Sequence, residues 1–466
     1  MEKKRAIVVV GGGMTGLSAA WYLQESGASL DITLVEPEPR LGGKVLTERQ
    51  DGFLVEGGPE SFLAQKPWAL ELVKEVGLDQ EVVRPAANQV FLLHGGRLQP
   101  IPEGLLGLVP ARPSALWKAE FLSLAGKARA SMEPVVPRRR GNGDESLRRF
   151  LRRRLGGEWA ARLGEPLMAG IHAGDGGMLS MQALFPNLVA WERKYGSIAR
   201  AMRKEMKPAP PGKRVSPFVT FKGGADALTE AVAKRLTSVR KLTGRRVTRI
   251  AKPGASYTLT LDKGETLTAD YIVLTTPTYV SAQLLLQLSP QVSALLDKLP
   301  YASTASVTLA FKRSAVAHPL NGSGFLVPKS ETFPITACTW SSAKWAGRAP
   351  EGYALLRAFV GWIGDDSFMR QTDAALVHSA IEALRPLLGL QGQAERTWVH
   401  RWARAMPQYQ VGHVQWIDAV QKALAGHPDV VLTGSAFHGV GLPDCVRQGR
   451  EAAERIIASI TAQGRG

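Results

Sequence analysis

The chain has 466 residues, 45% of them hydrophobic and 21% charged, with a formal net charge of +17. That length exceeds what one core serves, so two or three domains are expected, and the ordinary composition excludes a disordered, collagen-like or disulfide-stapled chain. Cys338 and Cys445 have neither CxxC nor Cys/His spacing, which argues against a zinc site, predicts no bound metal and fits a reducing, cytoplasmic setting.

No apolar run approaches the roughly 20 residues needed to cross a bilayer. The glycine loop interrupts the basic and apolar opening too early for a signal peptide. The positive charge would suit nucleic acid, anionic lipid or an acidic small molecule. No helix-turn-helix, finger or RNA-sheet signature accompanies it, so nucleic acid is not the expected partner.

In chain order, Ala6 to Val10 reads as a buried strand, Met14 to Ser26 as a helix and Asp31 to Glu36 as a second strand, a βαβ opening. A glycine-rich passage spans Arg40 to Pro59, and a helix is expected over Lys66 to Glu75. From about Gln89 to Lys204 the pattern changes to proline-rich loops and arginine-rich amphipathic helices, which predicts an inserted helical subdomain. Within it Arg138, Arg139, Arg140, Arg148, Arg149, Arg152, Arg153 and Arg154 face only Asp144 and Glu145. Leu147, Phe150, Leu151 and Leu155 recur at helical spacing, so the later arginines are expected on a solvated helix face.

Phe221-Lys222-Gly223-Gly224 leads into a helix over Ala225 to Leu236 and strands at Arg246 to Ala251, Ser256 to Leu261 and Tyr271 to Thr275, a return of the opening pattern. Strands at Ala305 to Phe311 and Leu355 to Gly361 precede a helix from Asp373 to Leu384 that should stop before Pro386. Val430 to Gly434, a glycine loop and a helix over Asp444 to Ile460 follow. The expected fold is α/β: a discontinuous Rossmann-like domain over residues 1–88, 215–279 and 425–466, a helical insert over 89–214 and a mixed α+β substrate domain over 280–424.

Gly11-Gly12-Gly13-Met14-Thr15-Gly16 places GxGxxG at a strand-to-helix junction. Gly11 permits the tight turn, Gly13 a close approach of a diphosphate, Gly16 the packing of helix on strand, and the helix N-terminus offers unpaired N–H donors. Glu36 ends the second strand where an acid binds ribose hydroxyls and repels the extra phosphate of NADP. A solvated strand-end acid is the alternative. The motif alone does not separate NAD from FAD.

Arg40-Leu41-Gly42-Gly43-Lys44-Val45 and Gly57-Gly58-Pro59-Glu60-Ser61 decide for FAD. With the first loop they resemble the amine-oxidase and protoporphyrinogen-oxidase superfamily of flavoproteins, in which an RxGG turn and a GGP turn flank the cofactor. Downstream, Gly170-Ile171-His172-Ala173-Gly174-Asp175, the run Arg401 to Tyr409 and the run Gly434 to Cys445 resemble the porphyrinogen-oxidase branch, in particular the soluble Gram-positive-type enzymes that act on coproporphyrinogen III. The blocks span essentially the whole chain. The resemblance implies FAD contacts at Gly11, Gly12, Gly13, Met14, Thr15, Gly16, Glu36, Pro37, Arg40, Gly42, Gly43, Lys44, Gly58, Pro59, Glu60, Ser61, Val247, Trp402, Gly434, Val440, Gly441 and Leu442. For Val247 the alternative is strand core, and for Trp402 a core tryptophan.

That family oxidises a porphyrinogen with FAD and molecular oxygen, making a porphyrin in haem biosynthesis and releasing hydrogen peroxide, and it hands product to other pathway enzymes. The macrocycle's pyrroles are electron-rich and the chemistry belongs mainly to the cofactor. In keeping with this the sequence carries no carboxylate dyad, nucleophile elbow or HExxH, and no catalytic residue is assigned. The family's substrate arginine has no match, since the region reads Asn88-Gln89-Val90-Phe91. Protoporphyrinogen IX, an amine and a carotenoid precursor are the alternative substrates, and a non-enzymatic basic binding module the alternative class. Related enzymes have a membrane-facing subdomain at the insert. Leu105, Leu106, Leu108, Leu116, Trp117 and Phe121 offer apolar area for a peripheral contact or for packing on their own domain.

Overall fold

The computed structural model describes residues 4–106, 108–110, 112–205 and 216–463. Its first layer is a five-stranded parallel sheet in the order Val239–Thr243, Leu30–Glu36, Arg5–Val10, Tyr271–Leu274, Val430–Leu432. The central strands are near-continuous Val, Ile and Leu because both faces are covered. Ile7, Val9 and Val273 enter one core with the helices Met14–Gln24 and Leu442–Gln463. Val8, Val10, Ile272 and Leu274 enter another, with Tyr257 and Leu259 of an antiparallel three-stranded sheet. The last helix closes on the first at a glycine: a Cβ on Gly449 would stand 2.4 Å from the Thr15 carbonyl oxygen.

The second layer is a seven-stranded sheet in the order Arg396–Pro407, Tyr301–Lys312, Tyr353–Val360, Ala337–Trp340, Gly324–Leu326, Val90–His94, Arg97–Pro100. One face packs on the helix Asp373–Leu388. Residues 90–100, assigned from the sequence to the helical insert, are a hairpin of this sheet instead. Gly95 and Gly96 both have positive φ, +59° and +74°, which is the two-residue turn that matches the twist of an antiparallel pair. The 214/215 boundary lies outside the described residues.

The helix starting at Asp373 also departs from expectation by running through Pro386 to Leu388. Proline in the last turn forfeits one hydrogen bond, whereas Leu384 and Leu388 are buried on the core face, and left-handed Gly389 supplies the actual stop.

Leu108, Leu116, Phe121, Phe150, Trp159 and Met181 form the core of the helical subdomain. Three of the six residues considered for a membrane contact, Leu108, Leu116 and Phe121, are therefore turned inward. Trp117 is exposed, Leu105 is half-buried, and the side chain of Leu106 lies outside the described set. The arginine run is also more than a solvated face. Arg154 is fully buried, donating to Glu133 Oε1 at 2.9 Å and to the carbonyls of Val136 at 3.0 Å and Gly196 at 3.2 Å. Arg153 reaches Glu145 at 2.6 Å and Glu192 Oε2 at 2.9 Å.

Candidate cofactor-binding site

The first glycine turn leaves the sheet after Val10. Gly11 has φ +107°, and a Cβ there would lie 2.5 Å from Thr275 Oγ1. A Cβ on Gly16 would lie 1.8 Å from the Gly11 carbonyl oxygen, so helix and turn touch through bare backbone. Gly13 differs: nothing stands within 4 Å of its Cβ position. It caps the helix Met14–Gln24 without a side-chain acceptor, so the first N–H groups and the positive dipole end are free for an anion.

Glu36 is buried on this turn. Its Oε2 accepts the Gly12 N–H at 2.6 Å and its Oε1 the Glu38 N–H at 3.1 Å. Burial raises its pKa in spite of both donors. The solvated-acid alternative is excluded by that placement. Pro37 follows half-buried. The Gly244 and Arg245 N–H groups donate to the carbonyls of Glu38 and Glu36 at 2.9 and 3.0 Å, which lays the strand beginning at Val247 beside the acid. The Val247 side chain is buried in the core with Val35.

The second turn is hydrogen-bonded to the first, Gly42 N–H donating to the Gly12 carbonyl at 2.8 Å. A Cβ on Gly43 would lie 3.0 Å from the Gly13 Cα. Arg40 acts on the turn itself, donating to the carbonyls of Val45 at 3.0 Å and Gly43 at 2.5 Å. The Lys44 ammonium donates to the Ala405 carbonyl of the seven-stranded sheet, and burial lowers its pKa to about 8. The GGP turn then lies against Lys44, since a Cβ on Gly58 would be 1.8 Å from the Lys44 carbonyl oxygen. Trp402 is half-buried and its indole N–H donates to the Gly57 carbonyl at 2.7 Å, so it borders this turn. Pro59 is exposed and Ser61 half-buried. Glu60 pairs with Lys344. Burial opposes ionisation of Glu60, but Lys344 and Arg357 hold its pKa below the usual carboxylate value.

The C-terminal loop completes the arrangement. Gly434 has φ +116° and its Cβ position is 3.4 Å from the Thr275 carbonyl oxygen. Tyr409 is buried, donates to the Ser435 carbonyl at 2.6 Å and accepts the Gly439 N–H at 2.9 Å. Its ring stacks on His413 with centroids 4.0 Å apart. Val440 and Gly441 lead into the helix at Leu442.

A family profile for flavin-containing amine oxidoreductases matches residues 14–457. The chain is 39% identical to the coproporphyrinogen III oxidase of Bacillus subtilis strain 168, over 98% of both chains. It is 34% identical to the coproporphyrinogen III oxidase of Staphylococcus aureus, over 98% of this chain and all of that one. A crystal structure from Exiguobacterium sp. 255-15, provisionally named a protoporphyrinogen oxidase, superposes with a TM-score of 0.88 at 34% identity, over 98% of this chain and 99% of the other. The chain belongs to the flavin-containing amine oxidoreductases, in their porphyrinogen-oxidase branch.

It is therefore an FAD-dependent oxidase. The geometry fits that cofactor on independent grounds. Gly13 opens onto free space at an uncapped helix end, where a diphosphate needs both room and donors. Glu36 holds a buried carboxylate one turn away with lone pairs to spare for hydroxyl donors. Among the described residues no group of three His, Cys, Asp or Glu is placed to hold a metal.

Sequence reasoning missed the residues that brace the turns. Thr275 donates to the carbonyls of Val10 at 3.0 Å and Gly11 at 3.1 Å. Glu56 is buried behind the GGP turn, accepting from Thr47 at 2.7 Å and Ala225 N–H at 3.0 Å, and burial raises its pKa to about 7. Tyr409 ends the run Arg401 to Tyr409 that carries the family resemblance, but its partners lie 26 and 30 residues away in sequence.

Proposed function

We propose that this protein oxidises coproporphyrinogen III to coproporphyrin III in haem biosynthesis, with oxygen as the terminal acceptor and hydrogen peroxide as by-product. The observation that supports this most is full-length identity of 39% to a coproporphyrinogen III oxidase on a chain whose glycine turns form one continuous cradle. Bound FAD supplies a two-electron acceptor, and three oxidations at its expense, each matched by one oxygen reduced to peroxide, convert the hexahydro macrocycle to the aromatic ring.

In this reading Gly11, Gly12, Gly13, Met14, Thr15 and Gly16 receive the diphosphate, and Glu36 with Pro37 the adenosine ribose. Val247 borders the adenine. Gly42, Gly43, Lys44, Gly58, Pro59, Glu60, Ser61 and Trp402 flank the flavin, with Arg40 closing the turn that presents them. Gly434, Val440, Gly441 and Leu442 would hold the flavin ring near the N-terminus of the helix Leu442–Gln463, whose positive end would favour negative charge there. His172 is buried with its pKa lowered to about 4 and His413 is likewise lowered to about 4, so at neutral pH both are uncharged.

The same reading places the oxidase in the cytoplasm, in touch with anionic membrane through Trp117, Leu124, Met132 and Val135. These four exposed apolar side chains fall within 19 residues and sit beside Lys118 and Lys127. Among the described residues no helix is long and apolar enough to cross a membrane. Flotation with anionic and neutral vesicles checks this, and equal absence from both refutes it.

The deciding experiment is anaerobic mixing of holoenzyme with coproporphyrinogen III and, separately, protoporphyrinogen IX. Loss of the oxidised flavin absorbance, faster with the tetracarboxylate, is expected. Flavin bleached by an amine and by neither porphyrinogen would overturn the reading.

A further inference from the structure

A cleft of about 370 Å³ lies between the helical subdomain and the loops of the seven-stranded sheet, and no residue of the glycine cradle lines it. Its floor is apolar, from Ala160, Ala161, Pro166 and Ala169, and one wall is the half-buried Trp362 ring. The floor includes part of a π-helical turn over Ala160–Gly164, a winding that recurs at functional sites. Its rim carries Arg148, Arg152 and Lys329. Two carboxylates offset these cations. Arg148 donates to Glu165 at 2.7 and 2.6 Å and to Asp175 at 2.7 Å, while Lys329 reaches Asp175 at 3.3 Å. Arg152 is exposed and has no side-chain partner among the described residues, so the rim retains a net positive charge and a free guanidinium fork.

A flat ligand fits this chemistry: an aromatic face against the alanines beside the indole, which holds the Lys329 ammonium over its ring 5.1 Å from the centroid, and carboxylates at the edge for Arg152 and Lys329. The volume suits part of a macrocycle rather than the whole. The cleft also adjoins the turn at Ala173. The Ile363 N–H beside Trp362 donates to the Ala173 carbonyl at 2.7 Å, and Gln408 donates to the His172 carbonyl at 2.7 Å.

We propose that this cleft is a second tetrapyrrole subsite, outside the cofactor cradle, which receives a carboxylate-bearing edge of the planar porphyrin product. The proposal rests on the porphyrinogen reading given above. It assigns Arg152 and Lys329 to carboxylate binding and Trp362 to the wall that holds Lys329 at the rim and borders the ligand.

The test uses FAD-loaded enzyme and two probes of similar size, coproporphyrin III and a tetracationic porphyrin. Arg152→Glu and Lys329→Glu should each weaken coproporphyrin III binding at least fivefold, and Ala161→Trp, which fills the cleft, should do the same without changing charge. Trp362→Phe should remove part of the tryptophan quenching that accompanies binding. The tetracationic porphyrin should not compete. Anaerobic flavin reduction at saturating coproporphyrinogen III should stay within twofold of wild type in all four variants.

Unchanged coproporphyrin affinity in Arg152→Glu, Lys329→Glu and Ala161→Trp overturns the subsite, as does tight binding of the cation. Slowed flavin reduction at saturation also overturns it, because the cleft would then belong to the reaction chamber. Failure of wild-type flavin to be reduced by porphyrinogen refutes the functional reading instead, and is seen separately.

Discussion

Gly13 and Gly16 share one motif but are held for different reasons, and alanine at each separates them. At Gly16 the added Cβ would stand 1.8 Å from the Gly11 carbonyl oxygen, well over 1 Å inside contact distance. The obstacle is backbone on both sides, so the helix must move off the sheet, at a cost above about 4 kcal/mol. At Gly13 the backbone has φ −73° and ψ −179°, open to any residue, and nothing lies within 4 Å of the new methyl. The expected destabilisation of the apoprotein is about 1 kcal/mol, the difference between glycine and alanine at an N-cap. The methyl does, however, occupy the space assigned to the diphosphate. Losing two charge-assisted hydrogen bonds of roughly 1.5 kcal/mol each predicts an FAD dissociation constant raised about 100-fold or more.

The assay is thermal unfolding of apoprotein followed by titration with FAD monitored through flavin fluorescence. Gly16→Ala should fail at the first stage and Gly13→Ala only at the second. If Gly13→Ala binds FAD as wild type does, the diphosphate does not pass over Gly13 and the assignment of the first turn is wrong.

Tyr409→Phe removes the hydroxyl that joins Ser435 to Gly439 while keeping the ring on His413, leaving a Gly439 N–H without its partner at a cost of about 2 kcal/mol. FAD affinity should fall roughly 10- to 30-fold, measured by equilibrium titration, and an unchanged constant would show that the loop is ordered without it. Glu56 has a folded pKa raised to about 7 by burial, so its contribution is present below its ordinary value near 4.5 and is lost as pH rises through 7. Buried His172 and His413, both lowered to about 4, act in the opposite sense: their contribution is present above their ordinary value near 6.5 and is lost as pH falls through 4. The difference between Glu56→Gln and wild type isolates the acid, and chemical denaturation between pH 5 and 8 should show the variant gaining on wild type as pH rises. Arg154→Leu removes the counter-charge of the buried Glu133, which keeps only the neutral donors Ser197, Ile198 and Ala199, and should destabilise the protein by about 3 kcal/mol or more, whereas Arg149→Leu on the exposed side of the same helix should change stability by under about 0.5 kcal/mol, both read by denaturant midpoint.

What the sequence disclosed follows the reach of its constraints. Gly11, Gly16, Gly43 and Gly58 could be recognised because each sits where a neighbouring backbone leaves no room for a side chain, or where φ is positive, and no other residue type satisfies that demand. The parallel strands were legible for a similar reason, since burial on both faces imposes unbroken apolar runs at Ala6 to Val10 and Tyr271 to Leu274. Direction was harder to read. Leu108, Leu116 and Phe121 are apolar whether they face lipid or their own core, and only packing against Phe150 and Trp159 decides it.

Arg154 shows the same limit for charge. A run of arginines predicts a wet surface until Glu133 and the carbonyl groups of Val136 and Gly196 are brought around one of them. Tyr409, Thr275 and Glu56 have ordinary local surroundings, and what distinguishes them is a partner on another element. The cradle surfaces are thus specified locally by glycine, while the forces that hold the turns in register are non-local. Substitutions at the glycines should alter cofactor binding or folding outright, whereas substitutions at the bracing residues should loosen the cradle by degrees, leaving a folded oxidase that binds its flavin weakly.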